Sequence, residues 1–308
     1  MVSRPKVGLA LGGGGTRGAA HVGVLRVLLQ EGVPIDCVAG TSMGSVVGGL
    51  YCAGLSVDSI QDKFLNKKLM RSFLTVPIYV RIAAIPIFYV PRIFGIKQYD
   101  GFYRGGKFRH FLNTSVPESN RDIEKLKTPF GAVALNLIDG QIYILNKGNL
   151  GRALQASAAV PVLRKPVMMG DKLFVDGGVT ANLPVKEARQ LGADIVIAVD
   201  VDERFEPVPQ DVFKTGGSVA HRVLTLHLSK VDEDQLKNAD IVIHPEVNGI
   251  GLISTKVNDI KSAITAGEVA ARAAMPEIRR KLQVNGIVLN KDRVLPVTRN
   301  SEPELQQQ

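Results

Sequence analysis

Twice near its start the chain repeats one arrangement: a short apolar run stops at glycines and resumes as a helical pattern. The first instance is LALGGGGTRGAAHVGVL, residues 9–25, and the second is CVAGTSMGSVVGGLYCAG, residues 37–54. In the first, Val22, Leu25, Leu28 and Leu29 fall on one helical face, and Gly32 and Pro34 close the helix. Two strand–turn–helix units in succession predict an α/β layered fold with parallel strands, here Lys6–Leu11 and Cys37–Ala39.

The rest of the chain continues in that style. FGAVALNLIDGQIYILNKG reads as a hairpin joined through Asp139-Gly140. LGRALQASAAV is a helix ended by Pro161, KLFV is a strand entering Asp176-Gly177-Gly178, and LPVKEARQLG is a helix closed by Gly192. ADIVIAVDV is a β-branched strand, followed by a helix over Val219–Lys230, a strand ADIVIHP, and a final helix with Pro276 as a kink. The polar tail from residue 287 is expected to be disordered, and no internal repeat is present.

The 308 residues suffice for a large buried core, and 45% apolar content excludes a disordered chain. A net charge of +9 favours anionic partners without choosing among nucleic acid, lipid surface and acidic substrate. Cys37 and Cys52 form no C-x-x-C pair and no zinc spacing with histidine, so they read as buried, inert thiols in a reducing compartment. The apolar run at the N-terminus, Val7–Leu11, is too short for a signal peptide. The expected location is therefore the cytoplasm, with peripheral contact on the cytoplasmic membrane face.

That contact falls on residues 63–111. The stretch Phe73–Ile96 is apolar and aromatic, but Pro77, Pro86, Pro91, Arg81 and Arg92 interrupt it, which argues against a membrane span. Lys63, Lys67, Lys68, Arg71, Lys97, Arg104, Lys107 and Arg109 surround it, with Asp100 as the one acid. Two readings stand side by side: a membrane-facing lid that meets anionic head groups, or a cap packed on the core.

Gly13, Gly15 and Gly18 have the G-x-G-x-x-G spacing of a dinucleotide turn. That fold needs an acid after the second strand to bind a ribose, but Asp36 precedes the strand and Gly40, Thr41 and Ser42 follow it. Gly40-Thr41-Ser42-Met43-Gly44 is instead G-x-S-x-G, a nucleophilic serine on a strand-to-helix elbow. Adjacent parallel strands place their loops side by side, so the first glycine loop serves equally as an oxyanion hole beside Ser42. Arg17 either adds positive charge there or anchors the loop. Among the histidines, His21 reads as structural and His244 is the best triad candidate. Asp176-Gly177-Gly178 offers a carboxylate at another strand end, or simply a turn.

The ordered set GGGGTRG, GTSMG, ASAAVP and DGG followed by NLPV resembles the patatin-like phospholipases, and the C-terminal part resembles their bacterial, neuropathy-target-esterase-like branch. The resemblance implies a three-layer α/β/α fold with a mainly parallel central sheet, over a catalytic domain at residues 1–286. It implies Ser42 as nucleophile and Asp176 as base, with no catalytic histidine. Gly13, Gly14, Gly15, Thr16 and Arg17 would form the oxyanion hole, supported by Gly18, Gly40, Gly44, Gly177 and Gly178. The implied activity is hydrolysis of a phospholipid or other acyl-ester lipid, with no cofactor, metal or nucleic acid. The alternatives are a lipid transacylase, and a catalytically silent lipid- or nucleotide-binding regulator.

Overall fold

The computed structural model of the chain describes residues 4–74, 99, 101–203, 207–216 and 218–289. Its strands are β1 (Val7–Leu11), β2 (Cys37–Thr41), β3 (Phe130–Asn136), β4 (Ile142–Leu145), β5 (Val167–Met169), β6 (Lys172–Asp176), β7 (Ile195–Val199) and β8 (Ile241–Ile243). Its α-helices are α1 (Ala20–Gln30), α2 (Met43–Cys52), α3 (Val57–Leu65), α4 (Lys68–Phe73), α5 (Gly106–Ser115), α6 (Leu150–Ser157), α7 (Val185–Gln190), α8 (Ser218–Asn238) and α9 (Val257–Val284).

The strands form one sheet in the order β5-β6-β3-β2-β1-β7-β8, with β4 also paired to β3. The five strands from β3 to β8 along that order are mutually parallel. Both faces are covered, as a parallel sheet requires. Leu9, Leu11, Ile195, Ile197 and Val199 pack with residues of α1, α2 and α9 on one face. Ala10, Val196 and Ala198 alternate to the other face, against Val185 and Ala188 of α7. Fully burying each such Leu or Ile contributes about 1.5–3 kcal/mol. The architecture is the three-layer α/β/α arrangement.

One edge of β3 carries two strands in series. β2 runs parallel to it and ends with Thr41 opposite Val133. β6 runs antiparallel and ends with Asp176 opposite Ala134. β4 pairs Ala132–Leu135, overlapping both registers, so it must occupy the opposite edge. The C-terminal ends of β2 and β6 therefore meet head-on at adjacent residues of β3.

Several boundaries differ from the sequence expectation. β2 extends two residues further, to Thr41, so the sheet reaches Ser42 directly. The helix before Pro161 stops at Ser157, because a residue before proline avoids the helical region and Ala159 gives its carbonyl to the Asp176 amide at 3.1 Å. The helix expected over Val219–Lys230 runs on to Asn238, and α9 continues through Pro276. Cys37 and Cys52 are buried free thiols, and burial pushes Cys37 up to about 11.

Of the basic segment, residues 75–98 and Asp100 lie outside the described residues, as do 290–308 of the tail. Its described ends are α4 and α5. These helices meet edge-to-face through Phe73 and Phe108, with ring centroids 5.2 Å apart. The buried Arg164 guanidinium lies 4.3 Å from the Phe73 ring centroid and 4.8 Å from that of Phe108. No described helix is long and apolar enough to cross a membrane.

Candidate active site

Ser42 stands between β2 and α2 with φ 50° and ψ −120°, a strained conformation for a residue with a side chain. The surroundings hold it there. The Ser42 amide donates to Ser157 Oγ at 3.0 Å, Ser45 Oγ donates to the Ser42 carbonyl at 2.6 Å, and Thr41 Oγ1 donates to the Ala181 carbonyl at 3.0 Å. The elbow leaves no room beside it. A side chain on Gly40 would strike the Ser45 backbone, and one on Gly44 would strike the carbonyls of Leu11 and Gly12. No side chain caps α2, so its N-terminal amides and dipole face the elbow.

Asp176 ends β6 and is buried. Its Oδ1 accepts from the Gly178 amide at 2.9 Å, and the Ser42 hydroxyl faces the carboxylate. Burial pushes the carboxyl up to about 6, against the pull of the Ser42 hydroxyl, the Gly178 amide and the Arg164 charge. Gly177 lies against the Val133 carbonyl, where no side chain would fit. A Ser–Asp pair with a base poised just below neutral pH can draw a proton from the serine hydroxyl.

The glycine loop runs past Ser42, and a Cβ added to Gly13 would lie 3.1 Å from Ser42 Cβ. The loop's amides are used unequally. Gly13 donates to the Asn182 carbonyl at 3.2 Å, Thr16 to Leu252 at 2.8 Å and Arg17 to Gly14 at 3.1 Å. Gly14 and Gly15 have no such partner among the described residues, which leaves two adjacent N–H groups open. Thr16 and Arg17 sit beneath the loop. Thr16 Oγ1 donates to the Ser254 carbonyl at 2.8 Å. Arg17 is buried, donates from Nε to the Ile250 carbonyl at 2.6 Å and pairs with Glu203 at 2.9 Å. These contacts tie Arg17 to the segments at Glu203 and Ile250. Gly18 fits against Met43, the residue after the elbow.

His21 and His244 each have partners other than the Ser42–Asp176 pair. His21 is buried with Nε2 2.8 Å from the Gly12 carbonyl, and burial lowers it to about 4, so it is neutral and structural. His244 ends β8, three strands from β2, which is about 14 Å across the sheet at ordinary strand spacing. Its Nδ1 lies 3.1 Å from Asp200 Oδ2, and it lines a groove with Glu246 and Lys261. The sequence expectation of His244 as triad candidate is corrected: strand order separates it from Ser42. Among the described residues no group of three or more His, Cys, Asp or Glu is arranged to hold a metal ion.

Residues 9–189 match the Patatin-like phospholipase family profile. The chain belongs to the patatin-like phospholipase family. It is 32% identical over 219 residues to Lysophospholipase NTE1 of Scheffersomyces stipitis, covering 68% of this chain and 13% of that protein. It is 30% identical over 297 residues to an uncharacterised NTE family protein of Mycobacterium tuberculosis, covering 87% of this chain and 46% of that one. The chain thus spans under half the length of these relatives. The crystal structure of VipD from Legionella pneumophila shares the fold, with a TM-score of 0.50 at 15% identity, over 90% of this chain and 67% of that one.

Within this patatin-like frame, three residues around the pair went unassigned from sequence. Ser157 holds the Ser42 amide and Ala159 holds the Asp176 amide, so the ASAAVP segment braces both halves of the pair. Asn182, from NLPV, holds Gly13. The motifs were visible, but contacts spanning 115 residues, as between Ser42 and Ser157, leave no local pattern.

Proposed function

We propose that the protein is a serine lipid acyl hydrolase that works through Ser42 and Asp176. The observation that carries this reading is the head-on meeting of β2 and β6 on one edge of β3, which sets the strained Ser42 elbow against a buried carboxylate. Asp176 takes the Ser42 hydroxyl proton as Oγ attacks the ester carbonyl. The open amides of Gly14 and Gly15 donate to the oxyanion of the tetrahedral intermediate. The intermediate expels the alcohol, which leaves with the proton from Asp176, and an acyl-serine remains. Asp176 then deprotonates a water that attacks the acyl carbon, and returns that proton to Ser42 Oγ as the fatty acid is released. The relatives named lysophospholipases favour a lysophospholipid or phospholipid as the ester.

The test is hydrolysis of lysophosphatidylcholine by Ser42→Ala and Asp176→Asn, each checked for a native melting transition. Both are expected to lose turnover, and fluorophosphonate labelling is expected to vanish in Ser42→Ala. Native turnover in either variant overturns the pair. His244→Ala is expected to keep most of its turnover, and a large loss there revives a triad.

The same reading includes peripheral contact with an anionic membrane surface. Between α4 and α5 lies a groove of about 520 Å³ lined by Lys68, Arg71, Lys107 and His110, together with Ser72 and Phe111. No acid occurs in residues 63–74 or 101–116, and no side chain caps the N-terminus of α5. Cations with no ion pair among the described residues, at the positive end of a helix, favour an anionic phosphate there. Replacing Lys68, Arg71 and Lys107 together by Gln is expected to weaken flotation with phosphatidylserine vesicles. Native binding to phosphatidylserine by that variant defeats this contact.

A further inference from the structure

Asn182 takes no part in the chemistry above, yet it touches both loops that carry it. Its carbonyl accepts from the Gly13 amide at 3.2 Å, and its Nδ2 donates back to the Gly13 carbonyl at 3.4 Å. The same Nδ2 donates to Asp202 Oδ2 at 2.9 Å, so both of its hydrogens are used. Its Oδ1 faces the Asp176 turn: a Cβ on Gly178 would lie 2.9 Å from it. The side chain is buried.

Both polar groups of the Gly13 peptide backbone are therefore held by one residue. That matters because four consecutive glycines have no side chains to restrict them, and a free loop of this kind loses much backbone entropy on ordering. An oxyanion hole works only when its donors are fixed before the charge develops. Gly14 and Gly15 follow Gly13 directly, so fixing Gly13 aims their open amides. The main-chain carbonyl at position 182 survives substitution, but Asp there would offer no side-chain donor to Gly13 or Asp202, and Ala no polar side chain at all.

Asp202 orients the amide in turn. Its own N–H is held by Asp200 Oδ1 at 3.0 Å. The charged and titratable groups facing this cluster are Asp200, Asp232, Arg17 with its partner Glu203, and His244 beside Asp200. Asp232 Oδ1 accepts from the Leu183 amide at 2.8 Å, and Asn182 also supports the charged form of the Asp232 carboxylate.

We propose that Asn182 is a positioning residue that clamps the glycine loop to the Asp176 turn, with Asp202 setting the orientation of its amide. The inference rests on the Ser42–Asp176 reading and adds to it the residue that sets the oxyanion donors. The clamp acts on the transition state, so its loss is expected in kcat and not in KM.

The experiment measures kcat and KM for a short-chain p-nitrophenyl ester, the rate of fluorophosphonate labelling, and thermal melting. Asn182→Ala and Asn182→Asp are expected to lower kcat and the labelling rate together by about 10- to 100-fold, with KM near that of the native chain. Asp202→Asn can still accept from Asn182 and is expected to be at least about tenfold faster than Asp202→Ala, which cannot. Native kcat in a folded Asn182→Ala overturns the clamp. If that variant does not fold, the Asp202 pair decides: equal rates for Asp202→Asn and Asp202→Ala overturn it. A loss confined to KM overturns it as well. Full turnover in Ser42→Ala would instead defeat the dyad, so the two failures are distinguishable.

Discussion

Carboxylates shielded from water lie on both sides of the glycine loop, and their neighbours differ in the sign of their charge. Asp176 faces a hydroxyl, a backbone amide and the Arg164 charge, and stands at about 6. Asp202 and Asp232, behind the loop, face Asp200, and burial with that repulsion pushes each up to about 7. Burial alone makes a carboxyl hold its proton. Hydrogen bonds support the charged form on both sides; what distinguishes Asp176 is the nearby Arg164 charge, where the rear pair meets the like charge of Asp200. The rear acids sit among their own kind, and that repulsion adds to burial in raising them.

The largest effect should separate the two sides by rate. Asp176→Asn is expected to lower turnover by about 10²–10⁴-fold, the usual range for a general base, whereas Asp232→Asn stays well short of that. Equal losses would show that the rear acids are chemical participants. A smaller effect is expected in the pH profile. Activity should fall as pH drops through about 6, where Asp176 takes up its proton. Arg164 favours the charged carboxylate, so Arg164→Met should move that acid limb to higher pH; a limb that stays or moves down contradicts the coupling.

The smallest effect is on stability. The Asp202 carboxyl is raised in the folded chain above its unfolded value of 3.8. Its contribution is therefore fully present below the unfolded value and is lost as pH rises through about 7. Asp202→Asn carries no such proton. Its melting temperature relative to the native chain should rise between pH 5 and pH 8, and a constant or falling difference would place Asp202 in a more solvated setting.

The contrast also explains what was readable beforehand. The Gly40–Gly44 elbow and the Asp176 turn are local: strain and close approach dictate the residue types within a few positions. The β2 end, the rear acids and the braces at Ser157 and Ala159 depend on which strands lie side by side, and strand order has no local signature. His244 shows the cost of that gap, since a histidine at a strand end before a proline looks suitable until β1 and β7 intervene. Arg164 gave no signal either. An arginine buried between two phenylalanine rings has neither the periodicity of a core residue nor the company of acids in sequence.

The shared edge of β3 is a ruler. Thr41 and Asp176 are paired to Val133 and Ala134, so the spacing of nucleophile and base is written in peptide bonds, not in side-chain packing. One residue inserted between Val133 and Ala134 would lengthen that spacing by about 3.3 Å, more than a proton transfer tolerates. A substitution that merely loosens the helices should leave it unchanged. The reaction centre thus has a tolerance set by chain length, and it is unforgiving of insertion between positions 133 and 134.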